Sequence, residues 1–281
     1  MKKIALIGCG IMGAGMARNF LAKNFDVYIW NRTKENVQSL VDAGAIFVDT
    51  PAEATRQADV IFEVTANDAS SKAVWLDDDG ILSGANDTKS LIISATISAA
   101  WVDELTELCA SKGLNFFDIP LTGSRAGAEN GQLWLLAGGD KAKIDALKEV
   151  FSAISSKLLY FGKTGSAMRY KLILNMLQAV HIVGLGEALN IAKEQNLDLE
   201  TVGQALCERP GGSATNLAWN GYKSDTKHVN FAIELITKDL TYAKELAGQT
   251  NTPLLNDVLT QYRNAIEAGK GTSDWSAVIG E

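Results

Sequence analysis

The sequence predicts an α/β protein in two parts: an N-terminal doubly wound domain over 1–163, followed by an all-α C-terminal domain over 164–281, joined by a long central helix. Two observations carry this. Through 3–161, short β-branched or aromatic runs alternate with amphipathic helical stretches, which is the βαβ rhythm. After Gly162 that alternation stops, and helix-compatible segments run on to the last residue. The strand candidates are 4–8, 27–30, 46–48, 60–64, 91–95, 116–121, 133–137 and 158–161. Most are continuous apolar runs, as a parallel sheet buried on both faces requires. The segment 166–194 is apolar nearly all round, with Leu172, Ile173, Leu174, Met176, Leu177, Val180, Ile182, Val183 and Leu185, and predicts a buried central helix. Arg209-Pro210-Gly211-Gly212-Ser213 reads as a loop between helices.

Composition narrows the function classes. At 47% hydrophobic and 21% charged residues the chain is of ordinary globular character. A net charge of −7 with no Lys/Arg cluster argues against a nucleic-acid partner. Cys9, Cys109 and Cys207 are widely spaced with no CxxC, so neither a disulfide framework nor a zinc site is expected, and a reducing cytoplasmic location is. The run Asp77-Asp78-Asp79 reads as a solvated loop, because three adjacent carboxylates do not converge on one cation, and no metal is expected. Lys2-Lys3 before the apolar run 4–17 imitates a secretory leader, but its glycines and the following Arg18 and Lys23 fit a strand and turn better. No segment holds about 18 uninterrupted apolar residues, so no membrane partner is expected.

The most informative local motif is Gly8-Cys9-Gly10-Ile11-Met12-Gly13, which follows a strand candidate and opens a helix candidate. In that context the first glycine permits a tight turn, the second admits a pyrophosphate close to backbone, and the third lets helix and strand pack closely, which is the Rossmann dinucleotide fingerprint. Gly8, Gly10, Ile11, Met12 and Gly13 are therefore cofactor-site candidates, with Val64 at the end of a later strand candidate. At the end of the second strand, an NAD site carries Asp or Glu for the ribose hydroxyls. Here stand Asn31-Arg32-Thr33. Arg32 can pair with a 2′-phosphate that a carboxylate would repel, and Asn31 and Thr33 can donate hydrogen bonds, so NADP(H) is expected over NAD.

Lys171 is out of place in so apolar a segment unless something uses it, and Asn175 and Gln178 follow on the same helical face, a polar stripe suited to lining a cleft. Snorkelling of the Lys171 ammonium to water is the competing reading. The stretch Asp118-Ile119-Pro120-Leu121-Thr122-Gly123-Ser124 ends a strand candidate, where open α/β sheets bind ligands, and its hydroxyls and amides suit a carboxylate; a plain strand-to-loop turn is the alternative. His181 reads as a core or cleft-lining residue and His228 as a loop residue.

Together these residues carry a resemblance. With Met16 and Asn19, Ser94-Ala95-Thr96-Ile97-Ser98, Gly131, Leu133, Gly138-Gly139, 162–175, Phe231, Lys238-Asp239-Leu240 and Asp274-Trp275-Ser276-Ala277, the chain resembles the β-hydroxyacid dehydrogenase family over nearly its whole length. That family includes 3-hydroxyisobutyrate dehydrogenases, tartronate semialdehyde reductases and glyoxylate/succinic semialdehyde reductases. The resemblance implies that Lys171 is the catalytic lysine and Asn175 its neighbour, and that Thr122, Gly123 and Ser124 hold a substrate carboxylate. It also implies that Thr96 and Lys238 contact the cofactor, that Phe231 and Asp239 border its nicotinamide end, and that the chain associates with itself as a homodimer or homotetramer. Two positions depart from the pattern: Ser124 stands where the family often has a second glycine, and Ala167 where it usually has one. Imine reductases resemble this pattern too, but generally place Asp or Tyr where Lys171 stands. A non-catalytic NADP-binding module is the remaining alternative.

Overall fold

Six apolar runs form the parallel body of one sheet: β1 (Ile4–Ile7), β2 (Val27–Trp30), β3 (Ile46–Phe47), β4 (Val60–Glu63), β5 (Ser90–Ile93) and β6 (Asn115–Asp118), in the spatial order 3-2-1-4-5-6. In register, Ile4 pairs with Val27 on one side and Val60 on the other. The chain winds outward from β1 to β3 and then returns beyond β1, so β1 and β4 flank the point where the winding reverses. This computed structural model describes residues 2–208, 212–223 and 229–279.

The connecting helices begin where the sequence supplies caps. They are α1 (Ile11–Ala22), α2 (Gln38–Asp42), α3 (Pro51–Gln57), α4 (Asp68–Leu76), α5 (Ile81–Gly84) and α6 (Ala99–Ser111). Thr50 accepts from Glu53 N ahead of Pro51, Asn67 and Ser70 form a reciprocal capping box, and Ser98 accepts from Trp101 N. One core, with Phe20, Phe62 and Phe151, lies under α1; another, with Trp75, Trp101 and Met168, fills the opposite face of the sheet.

The strand expected over 116–121 is two strands. β6 ends at Asp118, and after Ile119-Pro120 the chain resumes as β7 (Leu121–Thr122). Pro120 has no N–H for a ladder, which fits a break there. Then come α7 (Ser124–Glu129), β8 (Leu133–Gly138), α8 (Lys141–Asp145), α9 (Lys148–Ser152) and β9 (Ser155–Gly162). β8 runs antiparallel to β6 and β7 and parallel to β9, so the nine-stranded sheet is mostly parallel with one antiparallel margin.

The chain divides into a unit of 1–171 and a unit of 172–281. The division falls inside α10 (Ser166–Glu194), beyond the change of pattern near 163, because the first turn of α10 is bonded to β6. The second unit is helical, comprising the rest of α10, then α11 (Leu199–Glu208), α12 (Ser213–Lys223), α13 (Ile233–Ala247), α14 (Pro253–Glu267) and a 3-10 turn at Trp275–Val278. Ile182, Leu185, Leu189, Ile236, Leu240, Leu259 and Tyr262 form its core. Gly203 of α11 lies against the Trp219 ring of α12, where a methyl group would collide.

Two expectations change here. α10 is not buried all round: Ile173, Leu177 and Ile191 are exposed while Ile182, Leu185 and Leu189 face the core. By length and composition α10 also passes as long and apolar enough to cross a membrane, although it holds no uninterrupted apolar run of that length. Of the loop expected over 209–213, residues 209–211 lie outside the described residues and Ser213 is the first residue of α12; His228 is likewise outside them. His181 is half-buried on α10.

Candidate active site

In the first unit, the glycine turn, Asn31-Arg32-Thr33, Val64 and Thr96 follow the carboxyl ends of the parallel strands β1, β2, β4 and β5. Gly8 leaves β1 at φ 96°, a backbone form that favours glycine, and a Cβ there would lie 2.6 Å from Val64 O at the end of β4. A Cβ on Gly13 would collide with Gly8 O, so the third glycine is needed for the turn to close. At Gly10 the opposite holds: an added Cβ would meet nothing within 4 Å, and no side chain caps the amides that open α1. Bare backbone and an uncapped helix start fit a dinucleotide pyrophosphate. Ile11 is exposed beside it and Met12 is half-buried.

Asn31 ties the end of β2 to this turn. Its Oδ1 accepts from Cys9 N at 3.1 Å and its Nδ2 donates to Thr33 O at 2.8 Å. Arg32 and Thr33 are exposed. The amide is thus engaged in shaping the loop, and Arg32 is the cation left facing solvent at the end of β2.

The loops after β4 and β5, which carry Val64 and Thr96, are bound together by a polar network that the sequence reading missed. Glu63, fully buried at the end of β4, accepts from Thr65 N at 2.7 Å and from the Ser71 hydroxyl at 3.2 Å. Ser71 accepts from Trp101 Nε1 at 2.9 Å. Ser98, which caps α6, donates its backbone N–H and hydroxyl to the Asp68 carboxylate at 2.8 and 2.6 Å. Burial pushes the Glu63 carboxyl above the usual range, against the donors that favour its charge. The legible signal was an acidic residue ending an otherwise apolar strand.

β7 delivers Thr122, and Gly123 and Ser124 turn the chain into α7. Gly123 adopts φ 128° and Ser124 φ 57°. A serine in the left-handed region costs about 1–2 kcal/mol, so the departure from the family's second glycine is a strained one. Ser124→Gly is expected to leave the melting temperature unchanged or higher while raising KM for a carboxylate substrate several-fold through loss of the hydroxyl; an unchanged KM would remove Ser124 from substrate binding. α7 is held against α1, since Asn19 Nδ2 donates to Ala128 O at 2.8 Å and a Cβ on Gly15 would strike Ala128.

Lys171 and Asn175 lie one turn apart on α10, 8% and 3% exposed. In the second unit, Asn175 Nδ2 donates to Asp239 Oδ2 on α13 at 2.5 Å, and the Lys238 ammonium lies 2.9 Å from Asp239 Oδ1. Asp239 is fully buried. Its carboxylate therefore holds Asn175 in one orientation and pairs with Lys238, an arrangement made possible by the two adjacent residues near the middle of α13. Phe231, half-buried, packs edge-on against Trp275 at 5.5 Å, and the Asp274 carboxylate accepts from Asn230 N at 2.8 Å. Among the described residues no cluster of three or more His, Cys, Asp or Glu suits a metal.

Two family models match end to end. Residues 3–162 match the NAD-binding domain of 6-phosphogluconate dehydrogenase, and residues 165–281 match the NAD-binding model of NADP-dependent 3-hydroxyisobutyrate dehydrogenase. The chain is 29% identical to cytokine-like nuclear factor N-PAC of Gallus gallus over 99% of its own residues, and spans only 51% of that protein. It is 28% identical to glyoxylate/succinic semialdehyde reductase 1 of Arabidopsis thaliana, covering 99% of this chain and 97% of that one. Among solved structures, 3-hydroxyisobutyrate dehydrogenase of Mycobacterium tuberculosis superposes with a TM-score of 0.85 at 25% identity, over 99% of this chain and 98% of that one. An imine reductase of Myxococcus stipitatus, at TM-score 0.69 and 18% identity over 99% and 98%, shares the fold alone. With both units matched, and a pyridine-nucleotide-binding domain in the first, the chain belongs to the β-hydroxyacid dehydrogenase family.

Proposed function

We propose that the protein is an NADP(H)-dependent oxidoreductase that interconverts a small carboxylate-bearing aldehyde, either a semialdehyde or glyoxylate, with its hydroxyacid. The observation that carries this reading is the buried Lys171 one helical turn ahead of the buried Asn175. A lysine is seldom held at 8% exposure without a task. Gly8, Gly10, Ile11, Met12 and Gly13 would hold the pyrophosphate, Arg32 and Thr33 the 2′-phosphate, and Val64 and Thr96 the adjoining part of the dinucleotide, with Phe231 and Lys238 assigned to the cofactor by the family resemblance alone. When bound, the cofactor supplies or takes up the hydride. Thr122, Gly123 and Ser124 grip the substrate carboxylate and so orient the carbonyl. The Lys171 ammonium donates its proton to the carbonyl oxygen as negative charge develops there; in the reverse direction the neutral amine accepts the hydroxyl proton. Asn175, fixed by Asp239, adds a hydrogen bond beside the lysine. The test is NADPH consumption with glyoxylate and with succinic, methylmalonate and tartronate semialdehydes. Turnover of at least one is expected.

A second reading has an observation of its own: a relative matching the whole of this chain bears the name of a nuclear factor. A non-catalytic NADP-binding module would bind NADPH in a fluorescence titration and turn over none of these substrates.

We further propose a cytoplasmic protein that associates with a second copy through α10, whose Ile173, Leu177 and Ile191 form an exposed apolar stripe. At Gly184, along the same helix, a Cβ would meet nothing within 4 Å. Leu177→Asp is expected to convert a dimer or tetramer to monomer in light scattering, and a monomeric parent protein would contradict the assignment.

A further inference from the structure

Asp118 ends β6 fully buried, yet its carboxylate is bonded to a helix start far along the chain. Oδ1 accepts from Gly165 N and Oδ2 from Met168 N, each at 2.8 Å. These amides belong to the entry and first turn of α10, where helix N–H groups have no intrahelical partner. Gly138, opposite Asp118 on β8, is the glycine this demands, because any side chain there would collide with the carboxylate. One turn beyond Met168 stands Lys171, and just beyond Asp118 the chain enters β7 and Thr122.

We propose that Asp118 is a positioning residue for the reacting lysine: its buried carboxylate fastens the strand that leads into Thr122–Ser124 to the first turn of the helix that carries Lys171. The proposal rests on the roles given above to Lys171 and to the Thr122 loop. A carboxylate at this place satisfies two orphaned amides and lies at the positive end of the helix dipole, so it fixes both the height and the rotation of the first turn. An error of an ångström in the donor's position costs about a hundredfold in rate.

The carboxyl also titrates in a useful place. Burial raises it to about 6, against the pull of the backbone donors of Met168 and Gly165. Arg169 of α10 interacts with it electrostatically and is itself held by Asp103 of α6 at 2.7 Å. Its neighbours on β5 and β8, Ile93 and Gly138, carry no charge. A protonated carboxyl turns one oxygen into a donor facing an N–H, and that bond is lost. Because the folded value lies above the ordinary one, proton binding favours the folded state, an effect complete at low pH and lost as pH rises through about 6. Acid thus loosens the lysine's anchorage without unfolding the protein through this group.

The experiment is steady-state kinetics of Asp118→Asn beside the parent protein and Lys171→Met, with the best aldehyde substrate. The parent is expected to show an acid limb in kcat near pH 6, and Asp118→Asn to lose it, to lower kcat by about ten- to a hundredfold and to leave KM for NADPH within about threefold. A folded Asp118→Asn protein with parental kcat overturns the proposal. So does a parent kcat that is flat between roughly pH 5 and 7, a measurement that stands even if the variant does not fold. An inactive Lys171→Met beside a fully active Asp118→Asn rejects this proposal alone. An active Lys171→Met rejects the lysine's role and this proposal together.

Discussion

Lys171→Met is expected to lower kcat by about three orders of magnitude while NADPH affinity, read by fluorescence titration, stays within about twofold. Methionine has nearly the length and volume of the lysine stem, so the buried position is refilled without a cavity. In the proposed mechanism the substitution removes the proton donor for the developing alkoxide, and a positioned general acid is worth about 10²–10⁴-fold. The split between turnover and cofactor affinity is the informative part. Retained activity in Lys171→Met would assign the proton transfer to another group, and a matching loss of NADPH affinity would make the residue structural.

Arg32→Asp is expected to reverse the preference between NADPH and NADH, with kcat/KM for NADPH falling about a hundredfold or more. A charge-assisted hydrogen bond to a phosphate is worth about 1.5–3 kcal/mol, or about ten- to a hundredfold, and the new carboxylate adds repulsion. The same carboxylate accepts from the ribose hydroxyls of NADH, so that cofactor gains. Arg32 is exposed, so its replacement is expected to leave the fold intact, which a melting curve checks. Asn31 is the poorer target: its side chain bridges Cys9 and Thr33, and its loss would deform the glycine turn for both cofactors alike. Equal kcat/KM for the two cofactors before and after the substitution would remove Arg32 from cofactor selection.

The doubly wound half was legible because apolar runs long enough for strands alternate with capped helices, and because a glycine turn between β1 and α1 has few other uses. Boundaries were less so. The run 116–121 read as one strand because apolar residues flank Asp118 on both sides, whereas Asp118 and the missing N–H of Pro120 mark the break into β6 and β7. The breadth of the apolar surface on α10 concealed that Ile173 and Leu177 face outward, since periodicity cannot distinguish a core-facing stripe from one left for a partner. At the site, Lys171 and Asn175 stood out as polar residues on an apolar helix, and Asp118 and Asp239 fell within motifs, but the contacts through which these two carboxylates act did not show. Asp239 reaches Asn175 from another helix, and Asp118 reaches α10 from a strand 47 and 50 positions away in sequence. Such contacts depend on the fold, and no local pattern announces them. The Glu63, Ser71 and Trp101 network was hidden for the same reason.

The most direct test of the central claim is the initial rate of NADPH oxidation by the parent protein across the panel of carboxylate-bearing aldehydes, with NADH measured alongside. The reading of the chain as an NADP(H)-dependent reductase requires turnover of at least one of them, faster with NADPH than with NADH. Tight NADPH binding accompanied by no turnover of any of the panel would contradict it.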